Sequence, residues 1–505
     1  MRPFEMLLFL SNLGLFITIF FLKSSIRKST LLITSGVSFI FLIIHLVVEG
    51  YRLQLLFPYC FTIFMLICSF IYNHKTSVIP QGLHVMRLPG RIIIVMSMVI
   101  TAVLMYVFPI FKLPIPTGDF KVGTQAFHFI DREREEAFLD TAKSKRELMI
   151  QVWYPAENTS GKPAPFIPDT KIMKPMAKNY GLPGFTFEHL KYVLSHSYKD
   201  ADISSVQSSY PLIVVNPGFG SSRILHTSQA ENLASQGYIV AVIDHTYNTF
   251  ATVFPDGRIT ACETNKYFSA ENDYDTETGN RDKVGKVLTD DVTFALDQFE
   301  LMNSGEIQSS LKGKFDLEHI GVFGHSIGGA TAYDSSYDPR ITVGINLDGG
   351  LYLLNDKMGA NKPFSFVFSE SGFQKLKTIM NNYVYTDEEL KKMGTTREWK
   401  DKEIQDKKVE IEHMRKVADN GGQIVYIENL EHLNFTDVQF FSPIFKIFGA
   451  TGKSDTKRAD SIVNSYTLNF FDAFLKNKTG SFIEEQNSKY PEVKVVTSMF
   501  ITEKE

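Results

Sequence analysis

The chain has 505 residues, a formal net charge of −4 and three cysteines. A balance so near neutrality excludes a nucleic-acid binder with a basic face. Cys60, Cys68 and Cys262 leave neither a disulfide framework nor a metal-ligand spacing, which fits a reducing compartment or an extracytoplasmic bacterial protein that manages without disulfides.

The first 111 residues hold four apolar runs, at 6–22, 30–48, 53–72 and 92–111. Each approaches the roughly 20 residues that cross about 30 Å of hydrocarbon, so four transmembrane helices are expected. No small-residue cleavage pattern follows the first run, and further spans do, so it reads as a span rather than a leader. Lys23, Arg27 and Lys28 follow the first run and Lys75, Arg87 and Arg91 the third, whereas the loop after the second carries only Arg52. The basic loops belong on the cytoplasmic side, which puts the long C-terminal part outside. His45, alone well inside a span, is expected to make a helix–helix hydrogen bond.

"KLPIPTG", residues 112–118, ends the apolar part with two prolines and a glycine that cannot continue a helix. The expected organisation is a four-helix anchor over 1–112 and one domain over 113–505. In that domain strands are predicted at 147–155, 211–217, 238–245, 319–325, 341–349, 363–370 and 422–429, and helices at 228–237, 286–302 and 459–477. Short continuous apolar runs alternating with amphipathic helices predict a mostly parallel sheet with helices on both faces. Residues 371–420 interrupt the alternation with a charged, helix-prone stretch, read either as a solvated insertion or as a lid over a site.

"GVFGHSIGGATA", residues 321–332, places G-x-S-x-G between a predicted strand and helix. That setting forces the serine onto a sharp turn and lifts its hydroxyl above the sheet edge. Ser326 is therefore the expected nucleophile. It needs a base, and the base needs a carboxylate. Asp348 ends the next strand, 22 residues on, followed by two glycines. Two histidines follow it. His413 lies in the charged stretch and His432 in the loop after a buried strand, so His432 is the expected base. The oxyanion hole is assigned to the amides of Ile327, next to the nucleophile, and Phe219, in the Gly218-Phe219-Gly220 loop. His245 and His325 read as structural or pocket-lining, and His226 as a residue that could line the pocket.

Together "NPGFGSSR", "GYIVAVIDH", "GHSIGGAT", "LDGG" and "EHLNF" resemble the plasma-type (isoform II-like) platelet-activating-factor acetylhydrolase family of the α/β-hydrolase superfamily, from about residue 117 to the C-terminus. The resemblance implies an α/β-hydrolase fold and the same five residues: Ser326, Asp348, His432, Phe219 and Ile327. It also implies hydrolysis of short or oxidised acyl esters of phospholipids, with neither metal nor cofactor. The four-span anchor and the long insertion depart from the secreted members, so fold and site carry over better than substrate. A membrane-anchored serine esterase acting on a lipid or small ester is expected. An acyltransferase, a hydrolase of other esters, or a non-catalytic membrane receptor with a hydrolase fold are the alternatives.

Overall fold

The computed structural model describes residues 2–22, 24–74, 88–139, 144–268, 273–352, 354, 362–478 and 488–501. Lys23, Lys75 and Arg87, used above for orientation, lie outside them. The chain divides into two compact units. One is Met1–Phe111 with the short stretches Phe187–Val193 and Phe441–Ile444; the other is the rest.

The first unit contains four helices long and apolar enough to cross a membrane: α1 (Pro3–Phe21), α2 (Ser24–Val48), α3 (Leu56–His74) and α4 (Leu88–Val107). The fourth stops four residues short of its predicted end, two before Pro109, whose ring disfavours helical backbone at the residue before it. Apolar side chains point outward along all four helices, as Leu10, Ile33, Phe64 and Ile93 do, while the interior holds polar pairs. Asn12 Nδ2 donates to Thr62 Oγ1 (2.9 Å), and the Ser35 and Ser69 hydroxyls meet at 2.8 Å. Polar pairs and close packing of this kind join helices where hydrophobicity cannot. His45 does make the interhelical bond, to the Tyr59 hydroxyl at 2.7 Å. Glu49 accepts from the Phe4 and Glu5 amides (both 3.0 Å) and so caps α1, while Glu5 pairs with Arg2 and Arg52.

The second unit is built on one twisted sheet. Its ten strands among the described residues are β1 (Lys121–Glu135), β2 (Lys145–Ala156), β3 (Ser197–Lys199), β4 (Tyr210–Asn216), β5 (Ile239–Asp244), β6 (Phe315–His325), β7 (Ile341–Leu347), β8 (Phe364–Ser369), β9 (Gln423–Ile427) and β10 (Val493–Val495). Across the sheet the order is β10-β9-β8-β7-β6-β4-β5-β2-β1-β3. The middle six strands run parallel; β2 pairs antiparallel with β1 and β5, and β10 antiparallel with β9. This is the α/β-hydrolase architecture expected from the motifs, with antiparallel strands at the margins.

Both faces of the middle strands are covered, which is why they read as unbroken apolar runs. In β4, Ile213 and Val215 pack against the helices at Thr227–Ser235 and Thr456–Leu475. Leu212 and Val214 face the long helix Tyr274–Ser304 on the other side. Each such side chain, fully buried, contributes about 2 kcal/mol of transfer free energy.

The charged stretch is neither loose nor merely solvated. It forms three helices, Glu370–Met380, Asp387–Met393 and Arg397–Asp419. Ile411, Met414 and Val417 of the last pack on Phe364 and Phe366 of β8, and the Tyr333 hydroxyl and His413 Nδ1 meet at 3.0 Å. Its outer face is fastened to the long helix: Tyr274 donates to Asp406 (2.6 Å) and Lys402 pairs with Asp275 (2.9 Å).

Candidate active site

The parallel register brings distant residues to one sheet edge. His325 pairs with Leu347 across β6 and β7, Leu347 with Val367 across β7 and β8, and Ser369 with Ile427 across β8 and β9. Whatever follows these strand ends emerges along one line. Ser326 follows β6, Asp348 follows β7, and His432 lies five residues beyond β9.

Ser326 has φ 57° and ψ −125°, the strained turn that G-x-S-x-G predicts. The glycines around it are demanded by space. A Cβ on Gly324 would lie 2.0 Å from the Gly328 carbonyl oxygen, and one on Gly328 2.0 Å from the Asn216 carbonyl oxygen. The helix Ile327–Ser335 starts immediately after, so its unpaired N–H groups and positive end face the serine.

Asp348 also sits at positive φ, 54°, with its side chain 7% exposed. Its Oδ1 accepts the Ser369 amide (2.8 Å), and Ser369 Oγ caps the helix Glu370–Met380 by accepting the Gly372 amide (3.0 Å). Its Oδ2 accepts His432 Nδ1–H at 2.7 Å. A carboxylate only accepts, so Nδ1 carries the proton and Nε2 presents a lone pair. The His432 side chain is 45% exposed, and among the described residues its Nε2 has no protein partner. Its loop is braced by Asn434, whose Oδ1 accepts the Glu431 and Gly452 amides (2.9 and 2.6 Å).

Among the described residues no side-chain hydrogen bond joins Ser326 to His432. The base reaches the elbow through its neighbour instead: the His432 and His325 rings lie 4.3 Å apart, and His325 Nε2–H donates to the His432 carbonyl oxygen (3.0 Å). Nucleophile–base hydrogen bonds are often long before substrate binds.

The Phe219 loop abuts the elbow, for a Cβ on Gly218 would lie 3.2 Å from Ser326 Cβ. The loop is a tight turn in which the Ser221 amide donates to the Gly218 carbonyl (3.1 Å) and Gly220 has φ 57°. Among the described residues neither the Phe219 nor the Ile327 amide has a protein acceptor.

Two features of the site were not foreseen from sequence: the Ser369 amide on Asp348 and the Asn434 brace. The insertion encloses a cavity of about 560 Å³ that opens onto Asp348 and His432, lined on one side by Leu376 and Met414 and on another by Lys375 and Lys400. No periodicity announces such contacts; they depend on which strand ends lie side by side. His226 is buried away from this cavity, and burial pushes its imidazole down to about 4.

The family model described as platelet-activating factor acetylhydrolase, isoform II, matches residues 105–489. A platelet-activating factor acetylhydrolase of Cavia porcellus is 24% identical over 383 residues, spanning 70% of this chain and 80% of its own length. A probable 1-alkyl-2-acetylglycerophosphocholine esterase of Arthroderma benhamiae is 25% identical over 283 residues, 53% of this chain and 67% of its own. Among solved structures, a ferulic acid esterase from Streptomyces cinnamoneus superposes with a TM-score of 0.56 at 25% identity, covering 76% of this chain and 99% of that one.

Proposed function

We propose that this chain, which belongs to the platelet-activating factor acetylhydrolase isoform II family and is a carboxylic ester hydrolase, cleaves its ester through Ser326, His432 and Asp348. The observation that carries the reading is the Asp348–His432 hydrogen bond, which leaves the Nε2 lone pair uncommitted, with the strained Ser326 on the strand end next to that of Asp348. His432 Nε2 takes the hydroxyl proton as Ser326 Oγ attacks the ester carbonyl carbon. Asp348 fixes the tautomer and stabilises the imidazolium. The Phe219 and Ile327 amides hold the tetrahedral oxyanion. His432 then protonates the departing alcohol, and water, deprotonated by the same nitrogen, releases the acid from the acyl-enzyme.

The substrate class we propose is a lipid ester with a short acyl chain, a phospholipid or a relative of one, met at a membrane surface. The names of the family relatives and the four apolar helices support it. The helices anchor the chain, and the hydrolase unit faces outward. The ferulic acid esterase neighbour supports a second reading, a carboxylesterase on other esters. A Ser326→Ala chain is expected to fold, to lose ester hydrolysis and to lose fluorophosphonate labelling. Labelling that survives the change sinks the assignment. Mass spectrometry of lipid extracts from cells with and without Ser326 separates the two substrate classes.

A further inference from the structure

His325 occupies the second position of G-x-S-x-G, where local chemistry asks only for a side chain that fits. It is 3% exposed and touches the candidate base twice, through the hydrogen bond to the His432 carbonyl oxygen (3.0 Å) and through ring contact at 4.3 Å with an interplanar angle of 42°. The ring of Phe435, from the same loop as His432, lies 6.3 Å away on a near-parallel plane. A carbonyl accepts only, so Nε2 carries the proton and Nδ1 is the bare nitrogen. That Nδ1 is buried without a partner and lies where a Cβ on Gly218 would come within 3.2 Å. A buried acceptor left unpaired costs about 1–3 kcal/mol. An unpaired group in a native core asks for a reason, and function is one.

We propose that His325 is a positioning residue: its Nε2–H and its ring face hold His432 in the orientation that proton transfer from Ser326 requires. The inference rests on His432 being the base. Because Ser326 and His325 are consecutive, one strand end sets both the nucleophile and the brace of its base, and the two move as one body. The ring has to stay uncharged, since His432 becomes an imidazolium against it in each turnover. Burial does this first, and the two titratable groups that face it, His432 and His226 (6.2 Å between rings), add to it; together they hold the His325 imidazole well below its ordinary range.

Three variants of the full chain test the idea. Glutamine can set an amide N–H where Nε2 is; asparagine, shorter, cannot; phenylalanine keeps a ring but donates nothing. His325→Phe and His325→Asn are expected to lower kcat and the rate of fluorophosphonate labelling about tenfold with KM within about twofold, and His325→Gln to recover most of both. Melting temperatures taken alongside identify a purely structural role, in which all three losses follow stability and glutamine rescues nothing. That pattern overturns the proposal, as does a kcat within about twofold of the parent in both the Phe and Asn variants. If the Phe variant does not fold, the Gln–Asn pair decides. Failure of the underlying reading looks different: there the His432→Gln chain keeps its activity whatever position 325 holds.

Discussion

Asp348–His432 and Asp291–His245 are the same two residue types at similar separations, 2.7 and 3.0 Å, and both histidines follow strands of one sheet edge. Their surroundings differ in every respect that chemistry needs. His432 leaves Nε2 open, whereas His245 Nε2 meets Asn216 Oδ1 at 3.1 Å. The His432 side chain is 45% exposed and that of His245 1%. Asp348 serves its histidine and one backbone amide. Asp291 is shared with Arg146 (2.6 Å) and Arg134 (3.0 Å), and Arg146 also binds Glu136 (2.8 Å). Arg146 and the hydrogen bond from His245 hold the Asp291 carboxyl well below the usual carboxylate range although burial alone would raise it. One pair leaves a nitrogen uncommitted; the other is a cross-brace tying the start of β2 to the long helix. An Asp–His contact becomes a candidate site only with a free nitrogen, access and a nucleophile beside it.

The largest expected effect separates the pairs directly. His432→Gln is expected to lower kcat by about 10⁴-fold or more, as loss of a base in such a constellation does. His245→Gln is expected to leave the kcat of the folded enzyme within a few-fold and to lower the melting temperature instead. Equal kcat losses in the two variants would dissolve the distinction.

Next comes the brace. Asp291→Asn removes the charge opposite Arg146, whose side chain is 1% exposed, and breaking a buried ion pair on one side costs about 3–5 kcal/mol. Thermal unfolding of the full chain is expected to show that loss. A change below about 1 kcal/mol, the range of exposed pairs, would mean that the network is no brace.

The contrast also explains what could be read from the chain. Ser326, Asp348 and His432 were legible because each sits one short step past an apolar strand, and a parallel sheet gathers such steps along one edge. The bond between Arg146 and Asp291 was not, since it joins residues 145 apart with nothing periodic to announce it. The strand β1 went unread because "KVGTQAFHFIDRERE" mixes charge and glycine and its burial follows no clean alternation. The long helix was predicted from 286 yet starts at Tyr274: its first turns carry no apolar stripe and begin at an Asp273 cap on the Thr276 amide (2.7 Å). The insertion's charges read as a solvated face, yet Glu410 is buried and Lys400 lines the cavity; its inward Ile411, Met414 and Val417 were too sparse to show which strand they would cover.

The smallest effect comes from buried acids that have no arginine. Asp460 accepts from Ser228 Oγ (2.8 Å) and Asn464 Nδ2 (2.9 Å), and Asp437 accepts the Ser228 amide (3.1 Å). Burial pushes the Asp460 carboxyl up to about 7 despite these donors, and burial together with the charge of Asp460 raises Asp437 well above its ordinary value. The sign is opposite to that of Asp291. An acid with a raised folded-state pKa holds a proton that the unfolded chain has released above about 4, so its stabilisation is complete below that pH and is lost as pH rises through 7. The depressed Asp291 contributes above about 4 and loses its contribution as the solution is acidified. Asp460→Asn mimics the protonated form. It is expected to raise the melting temperature at pH 8 by roughly 2 °C or more and by clearly less at pH 5, where only part of the loss has accrued. An equal shift at both pH values would show that Asp460 is not the group that titrates, and the contrast between acids paired with arginine and acids held by neutral donors would then fail at its weaker end.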